Sequence, residues 1–208
     1  MRKFKVYLLD FDGTLIDSYD GLSIFYNAIF NEIGCTVSKE EEYEFSKISL
    51  QEAFKRKCDD PSKLDRFTKK CFEMVDSKVL LVHNKTFKDT IPFINYLIDN
   101  KITNAIVTGN DIKHAEMVFD NLNIPTFYNA FISSKDLTYQ KPHPEGILLA
   151  LKKLGYQGDL KEVCYVGDAW NDFLAAREAG VTPILVNRFN EYQPSEEYIL
   201  INNLSELY

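Results

Sequence analysis

Cysteine is scarce and scattered in this chain. The four residues Cys35, Cys58, Cys71 and Cys164 are widely spaced and make no CxxC pair. That pattern argues against a zinc site and a disulfide framework, and we read them as reduced thiols of a cytosolic protein. Long hydrophobic runs are missing too, so no membrane span is expected. Met1 to Lys5 lead straight into the first apolar run, so no signal peptide is expected either. Positive charge is in deficit, with 24 Lys and Arg against 31 Asp and Glu and a net charge of −7. A general nucleic-acid binder needs a basic face to replace counterions, so that class is disfavoured. A small anion is not excluded, because local charge in a cleft decides its binding. There is no internal repeat, low-complexity tract or Gly/Ser linker. His83 and His114 are isolated and are assigned no role, and His143 reads as structural or exposed.

What is present is the composition of a soluble globular protein, 45% apolar and 26% charged, in a chain of 208 residues. That length suffices for one good core and a smaller second domain. Phe4 to Leu9 is a nearly continuous apolar run, as expected of a strand covered on both faces of a parallel sheet. Ile102 to Val107, Val163 to Val166 and Ile184 to Val186 look alike, and Phe131-Ile132 is a shorter candidate. Helical patterns lie between them, around Ile91 to Ile98, Ile112 to Leu122, Ile147 to Leu154 and Asp172 to Ala179, with Gly155 and Gly180 at expected stops. Alternating strands and helices indicate an α/β fold, a doubly wound, mainly parallel Rossmann-like sheet. Ser18 to His83 breaks that rhythm with helical stripes only. We therefore expect core residues at 1–16 and 86–208 and a small all-helical cap at 17–85. Crossings near Leu15 to Asp17 and Val82 to Lys88 would form the hinge.

Polar clusters fall at the carboxyl ends of the predicted strands. They are Asp10 and Asp12, Thr108-Gly109-Asn110, Lys141-Pro142, and Gly167-Asp168 with Asp172. In an open α/β sheet the ligand crevice lies at those ends, so clusters distant in sequence converge. Three carboxylates (Asp10, Asp12, Asp168) repel one another unless a cation joins them, and an oxygen-only donor set suits Mg²⁺. Lys141 adds a fixed positive charge and Thr108 a hydroxyl. The backbone N–H groups of Gly109 and Asn110, expected at a helix start, could cradle an anion. Such a set fits phosphoryl transfer. Asp10 would attack phosphorus, and Asp12 would protonate the leaving oxygen and then deprotonate water. Asp12 must hold its proton for the first step, which a neighbouring Asp10 favours and a nearby cation opposes.

These residues resemble the haloacid-dehalogenase-like superfamily, in its phosphoglycolate-phosphatase-like branch with a helical cap after the first strand. Asp10-Phe11-Asp12-Gly13-Thr14 is similar to the first motif of that family and Thr108 to the second. Lys141-Pro142-His143-Pro144 resembles the third, and Gly167-Asp168-Ala169-Trp170-Asn171-Asp172 the fourth. The resemblance covers essentially the whole chain. It implies that Asp10, the Asp12 backbone carbonyl and Asp168 ligate Mg²⁺, that Thr108 and Lys141 hold the phosphate, and that Asp172 supports the metal or Lys141. An intact Asp12 points to phosphate esters rather than carbon–halogen bonds. Thr108 is followed by Gly-Asn rather than a lone Asn, so Asn110 could be the side chain nearest the substrate.

The expectation is a cytoplasmic, Mg²⁺-dependent phosphatase acting on a small phosphorylated metabolite through an aspartyl-phosphate, as a monomer or small homo-oligomer. It would engage neither nucleic acid nor membrane. A sugar phosphomutase, a pyrophosphatase, a nucleotidase and a non-catalytic regulatory module are the alternatives. Lys47 and Ser49 are weaker candidates for substrate contact.

Overall fold

The computed structural model describes residues 4–76 and 79–208. The chain divides into two compact units, Met1–Asp17 with Thr86–Tyr208, and Ser18–Lys85.

The first unit is built on a six-stranded sheet. Its strands are β1 (Val6–Leu9), β4 (Thr103–Val107), β5 (Ala130–Ile132), β6 (Val163–Gly167), β7 (Thr182–Val186) and β8 (Ile199–Ile201), in the order β5-β4-β1-β6-β7-β8. Every pairing in it is parallel. Strand β1 lies between β4 and β6, with Leu8 opposite Ala105 on one side and Tyr165 on the other. The order therefore reverses beside β1, where such sheets open a crevice. The helices α6 (Thr90–Asp99), α7 (Ile112–Asn121), α8 (Glu145–Lys153) and α9 (Trp170–Ala179) connect the strands. Val6, Leu8, Val107, Val163 and Tyr165 pack with Ile147 and Ala150 of α8 and Ala175, Ala176 and Ala179 of α9. This is the doubly wound α/β architecture that the alternating pattern indicates. Strand β8 was not among the expected strands.

The second unit is helical: α1 (Tyr19–Glu32), α2 (Lys39–Ser46), α3 (Leu50–Lys57), α4 (Leu64–Asp76) and α5 (Val79–His83). Two-residue strands, β2 (Ile16–Asp17) and β3 (Lys85–Thr86), stand where the chain passes from one unit to the other. Helix α1 buries Phe25, Tyr26, Ile29 and Phe30 against Phe45, Phe54 and Phe67. Serines start the next two helices: Ser38 closes a capping box with Glu41 on α2, and Ser49 accepts from the Glu52 N–H on α3. The apolar positions of α4 split, with Phe67 buried and Phe72 and Val75 exposed. Among the described residues, no helix is long and apolar enough to cross a membrane.

Candidate active site

Asp10 follows β1 directly and extends its pairing, since its N–H donates to the Val166 carbonyl at 2.9 Å. The chain then folds back on itself. The Gly13 N–H donates to the Ile16 carbonyl at 2.8 Å, and the Leu15 and Ile16 N–H groups donate to the Phe11 carbonyl. Gly13 sits at φ +73°, and a Cβ there would collide with the Asp168 carboxylate. Gly167 is constrained in the same way, because its Cβ would strike the Asp172 carboxylate. Only glycine at these two positions lets the backbone approach the acidic side chains so closely.

Three carboxylates converge here. Asp10, Asp168 and Asp172 are all buried, and one oxygen from each lies within 4.8 Å of the others. Thr14 stands beside them, its hydroxyl 3.5 Å from Asp10 Oδ2 and 3.4 Å from Asp168 Oδ1. Burying like charges is costly without a cation. The protein supplies one in Lys141, whose Nζ donates to Asp10 Oδ1 at 2.5 Å, Asp172 Oδ1 at 2.6 Å and the Tyr165 hydroxyl at 3.1 Å. Asp172 Oδ2 also accepts the Ala169 N–H at 3.0 Å, which fixes its carboxylate at the start of α9.

Burial pushes the Asp10 carboxyl well above the usual carboxylate range, and the charges of Asp172 and Asp168 add to the rise against the pull of Lys141. Burial also works against the Lys141 charge, but Asp10 and Asp172 outweigh it and hold the ammonium protonated well above its ordinary range. One internal cation against three carboxylates leaves a net negative, all-oxygen set. That chemistry fits a hard divalent ion.

Asp172 stands in this group where Asp12 was expected as the third carboxylate, because Asp172 is carried to the end of β6 by the start of α9. The Asn110 side-chain amide donates to Asp12 Oδ2 across 98 residues of sequence. Thr108 is buried at the end of β4, and its Oγ1 accepts the Asn110 N–H at 3.1 Å. This corrects the anion cradle expected at a helix start. Helix α7 begins later, at Ile112 with Asp111 as its cap, and the Asn110 N–H is committed to Thr108. Gly109 is exposed. In the helical unit, Lys47 Nζ donates to the Tyr43 hydroxyl at 2.7 Å, and Ser49 Oγ accepts the Glu52 N–H at 3.2 Å.

Two residues that sequence reasoning passed over also belong here. Tyr165, on β6, reaches Lys141. Arg188, after β7, donates through Nη1 to both Asp89 oxygens and through Nη2 to the Thr14 carbonyl at 2.8 Å. Its guanidinium lies 3.9 Å from the centroid of the Phe87 ring. Asp89 in turn accepts the Leu204 N–H. The signal in sequence was thin: an isolated Tyr within an apolar strand, and one Arg just past another.

Comparison with known proteins places the chain among hydrolases. The chain is 27% identical over 181 residues to Pyrophosphatase PpaX of Oceanobacillus iheyensis, covering 85% of this chain and 80% of that protein. It is 22% identical over 217 residues to Phosphoglycolate phosphatase 1 of Pseudomonas aeruginosa, covering 98% of this chain and 78% of that protein. A haloacid dehalogenase-like hydrolase from Bacteroides fragilis superimposes with a TM-score of 0.86 at 26% identity, covering 99% of this chain and 100% of the other. The family model for haloacid dehalogenase-like hydrolases matches residues 7–186, and the chain belongs to that family.

Proposed function

We propose that this protein is a Mg²⁺-dependent phosphatase that hydrolyses a small phosphorylated metabolite through a phosphoryl-Asp10 intermediate. The observation that carries this reading is the buried Asp10–Lys141–Asp172 chain beside Asp168 at the carboxyl end of β1. Asp10, Asp168 and the Asp12 main-chain carbonyl are the proposed holders of Mg²⁺, with Asp172 keeping Lys141 in place. When bound, Mg²⁺ would neutralise these carboxylates and draw electron density from the phosphoryl oxygens.

Asp10 would attack phosphorus as a carboxylate, forming an Asp–phosphorus bond as the bond to the leaving oxygen breaks. Asp12 would give its proton to that oxygen, then take one from the water that cleaves the intermediate. The Asn110 amide on Asp12 Oδ2 would hold the carboxyl in one orientation for both transfers. Lys141 and Thr108 would face the charge that builds on the transferring group. Residues 17–85 are the proposed cap, excluding bulk water and selecting the leaving group. Four free cysteines favour a cytoplasmic setting.

The name of the Oceanobacillus relative favours one specific second reading, a pyrophosphatase. A panel containing phosphoglycolate, sugar phosphates, nucleotides and pyrophosphate, assayed for phosphate release with Mg²⁺, tests both. Release from a monoester supports the first reading, release from pyrophosphate alone the second. Isomerised sugar phosphate without free phosphate contradicts both.

A further inference from the structure

Lys141 is held by no strand or helix of its own, since α8 starts only at Glu145. A lysine ammonium on a flexible four-carbon stem must be oriented by its partners. It has three N–H bonds, and three acceptors surround it: Asp10 Oδ1, Asp172 Oδ1 and the Tyr165 hydroxyl. Of the two carboxylates, Asp10 is the proposed nucleophile and leaves the lysine as it bonds to phosphorus, whereas Asp172 is held at the start of α9. The phenol is neutral and is fixed by the sheet. Tyr165 is 1% exposed on β6, and its hydroxyl lies 3.1 Å from the Val107 carbonyl and 3.3 Å from Asp172 Oδ1. Burial keeps that phenol protonated, so its O–H can donate to Val107 while its oxygen accepts from Lys141. Val107 ends β4 and precedes Thr108, and β1 lies between β4 and β6. The tyrosine thus spans the nucleophile's strand and ties the lysine to the strand that carries Thr108.

We propose that Tyr165 is a positioning residue that aims the Lys141 ammonium at the transferring phosphoryl group and keeps it in register with Thr108. The role rests on the phosphatase reading above, through Lys141. Tyr165→Phe removes one oxygen and leaves the ring's packing in place. It leaves the Val107 carbonyl short of a donor and one Lys141 N–H without its fixed acceptor.

The test measures Mg²⁺-supported hydrolysis of p-nitrophenyl phosphate and calorimetric binding of orthovanadate for wild type, Tyr165→Phe, Lys141→Ala and the double variant. A hydrogen bond to a charged group that matters in the transition state leads us to expect a loss of about tenfold in kcat for Tyr165→Phe. Vanadate binding should weaken by about the same factor, with KM moving less than about twofold. In the Lys141→Ala background the same substitution should change residual turnover by less than about twofold, because its route of action is gone. A merely structural tyrosine would lower thermal stability and cost the same in both backgrounds. Equal losses in both, or wild-type kcat and vanadate affinity in Tyr165→Phe, overturn the proposal. Tyr165→Met, also without a hydroxyl, serves in the same cycle if the phenylalanine variant does not fold. Asp10→Asn separates the two levels. Activity retained there sinks the phosphatase reading, whereas a dead Asp10→Asn with an unaffected Tyr165→Phe sinks only the positioning role.

Discussion

Lys141 and Asp10 lie 131 residues apart in sequence, yet the ammonium donates to Asp10 Oδ1 at 2.5 Å in a buried pocket. The same nitrogen reaches Asp172 Oδ1 at 2.6 Å, so one cation serves two carboxylates. Removing it strands both. Lys141→Ala should therefore destabilise the metal-free protein by roughly 3–5 kcal/mol, as expected when one partner of a buried pair is deleted. Thermal denaturation in chelator reads the loss, and an unchanged melting temperature contradicts the pairing.

The all-oxygen cluster predicts a linkage between Mg²⁺ and stability. At a concentration about 100 times Kd, an ion that binds only the folded state stabilises it by about 2.7 kcal/mol. Mg²⁺ should raise the melting temperature of wild type, and Asp168→Asn should abolish most of that rise. Equal shifts in both proteins place the ion elsewhere.

Gly13 carries a steric prediction. A side chain there meets the Asp168 carboxylate at φ +73°, so Gly13→Ala must displace either the loop or the acid. A shift of the order of 1 Å at a reacting centre costs about a hundredfold in rate. Kinetic assay of Gly13→Ala should show that loss, whereas Gly34→Ala, strained at φ +74° but with nothing within 4 Å of the added Cβ, should lower stability and keep near-normal turnover.

A pH prediction comes from Asp136, away from the site. Its Oδ2 accepts the Ser133 hydroxyl at 2.7 Å and N–H at 2.8 Å, Lys153 lies 3.1 Å from Oδ1, and its pKa falls from 3.8 to about 2. A depressed folded-state value contributes stability that is complete above the unfolded value and is lost as pH falls through the folded one. Asp136→Asn should cost about 1 kcal/mol at neutral pH, the typical worth of such a local bond. The difference should shrink below pH 3.8 and vanish near pH 2. Urea titrations of both proteins across that range measure it, and a gap independent of pH contradicts it.

Much of the architecture was legible because each central strand is an apolar run with acids or a threonine at its carboxyl end. β1, β4 and β6 are the cases in point. Strand β8 was not read from sequence, and its identity as a strand comes from pairing with β7. The positions of Asp10 and Asp168 followed from the topology, whereas Lys141 lies in the connection between β5 and α8 and is placed by its ion pairs. Tyr165 and Arg188 did not follow from the topology either, since a sequence shows that a polar tip is present but not which carbonyl or ammonium it meets across the sheet. The Gly109–Asn110 segment was expected at a helix start, but the helix begins at Ile112 under the Asp111 cap, and the Asn110 N–H turns back to Thr108.

The central claim is that Asp10 carries the phosphoryl group. Rapid acid quench during turnover of a ³²P-labelled substrate found in the panel, followed by peptide mapping, tests it most directly. The account predicts transient label on the peptide containing Asp10, and none in Asp10→Asn, which should remain folded and inactive. Label on another residue, or turnover by Asp10→Asn at a rate near that of wild type, would contradict it.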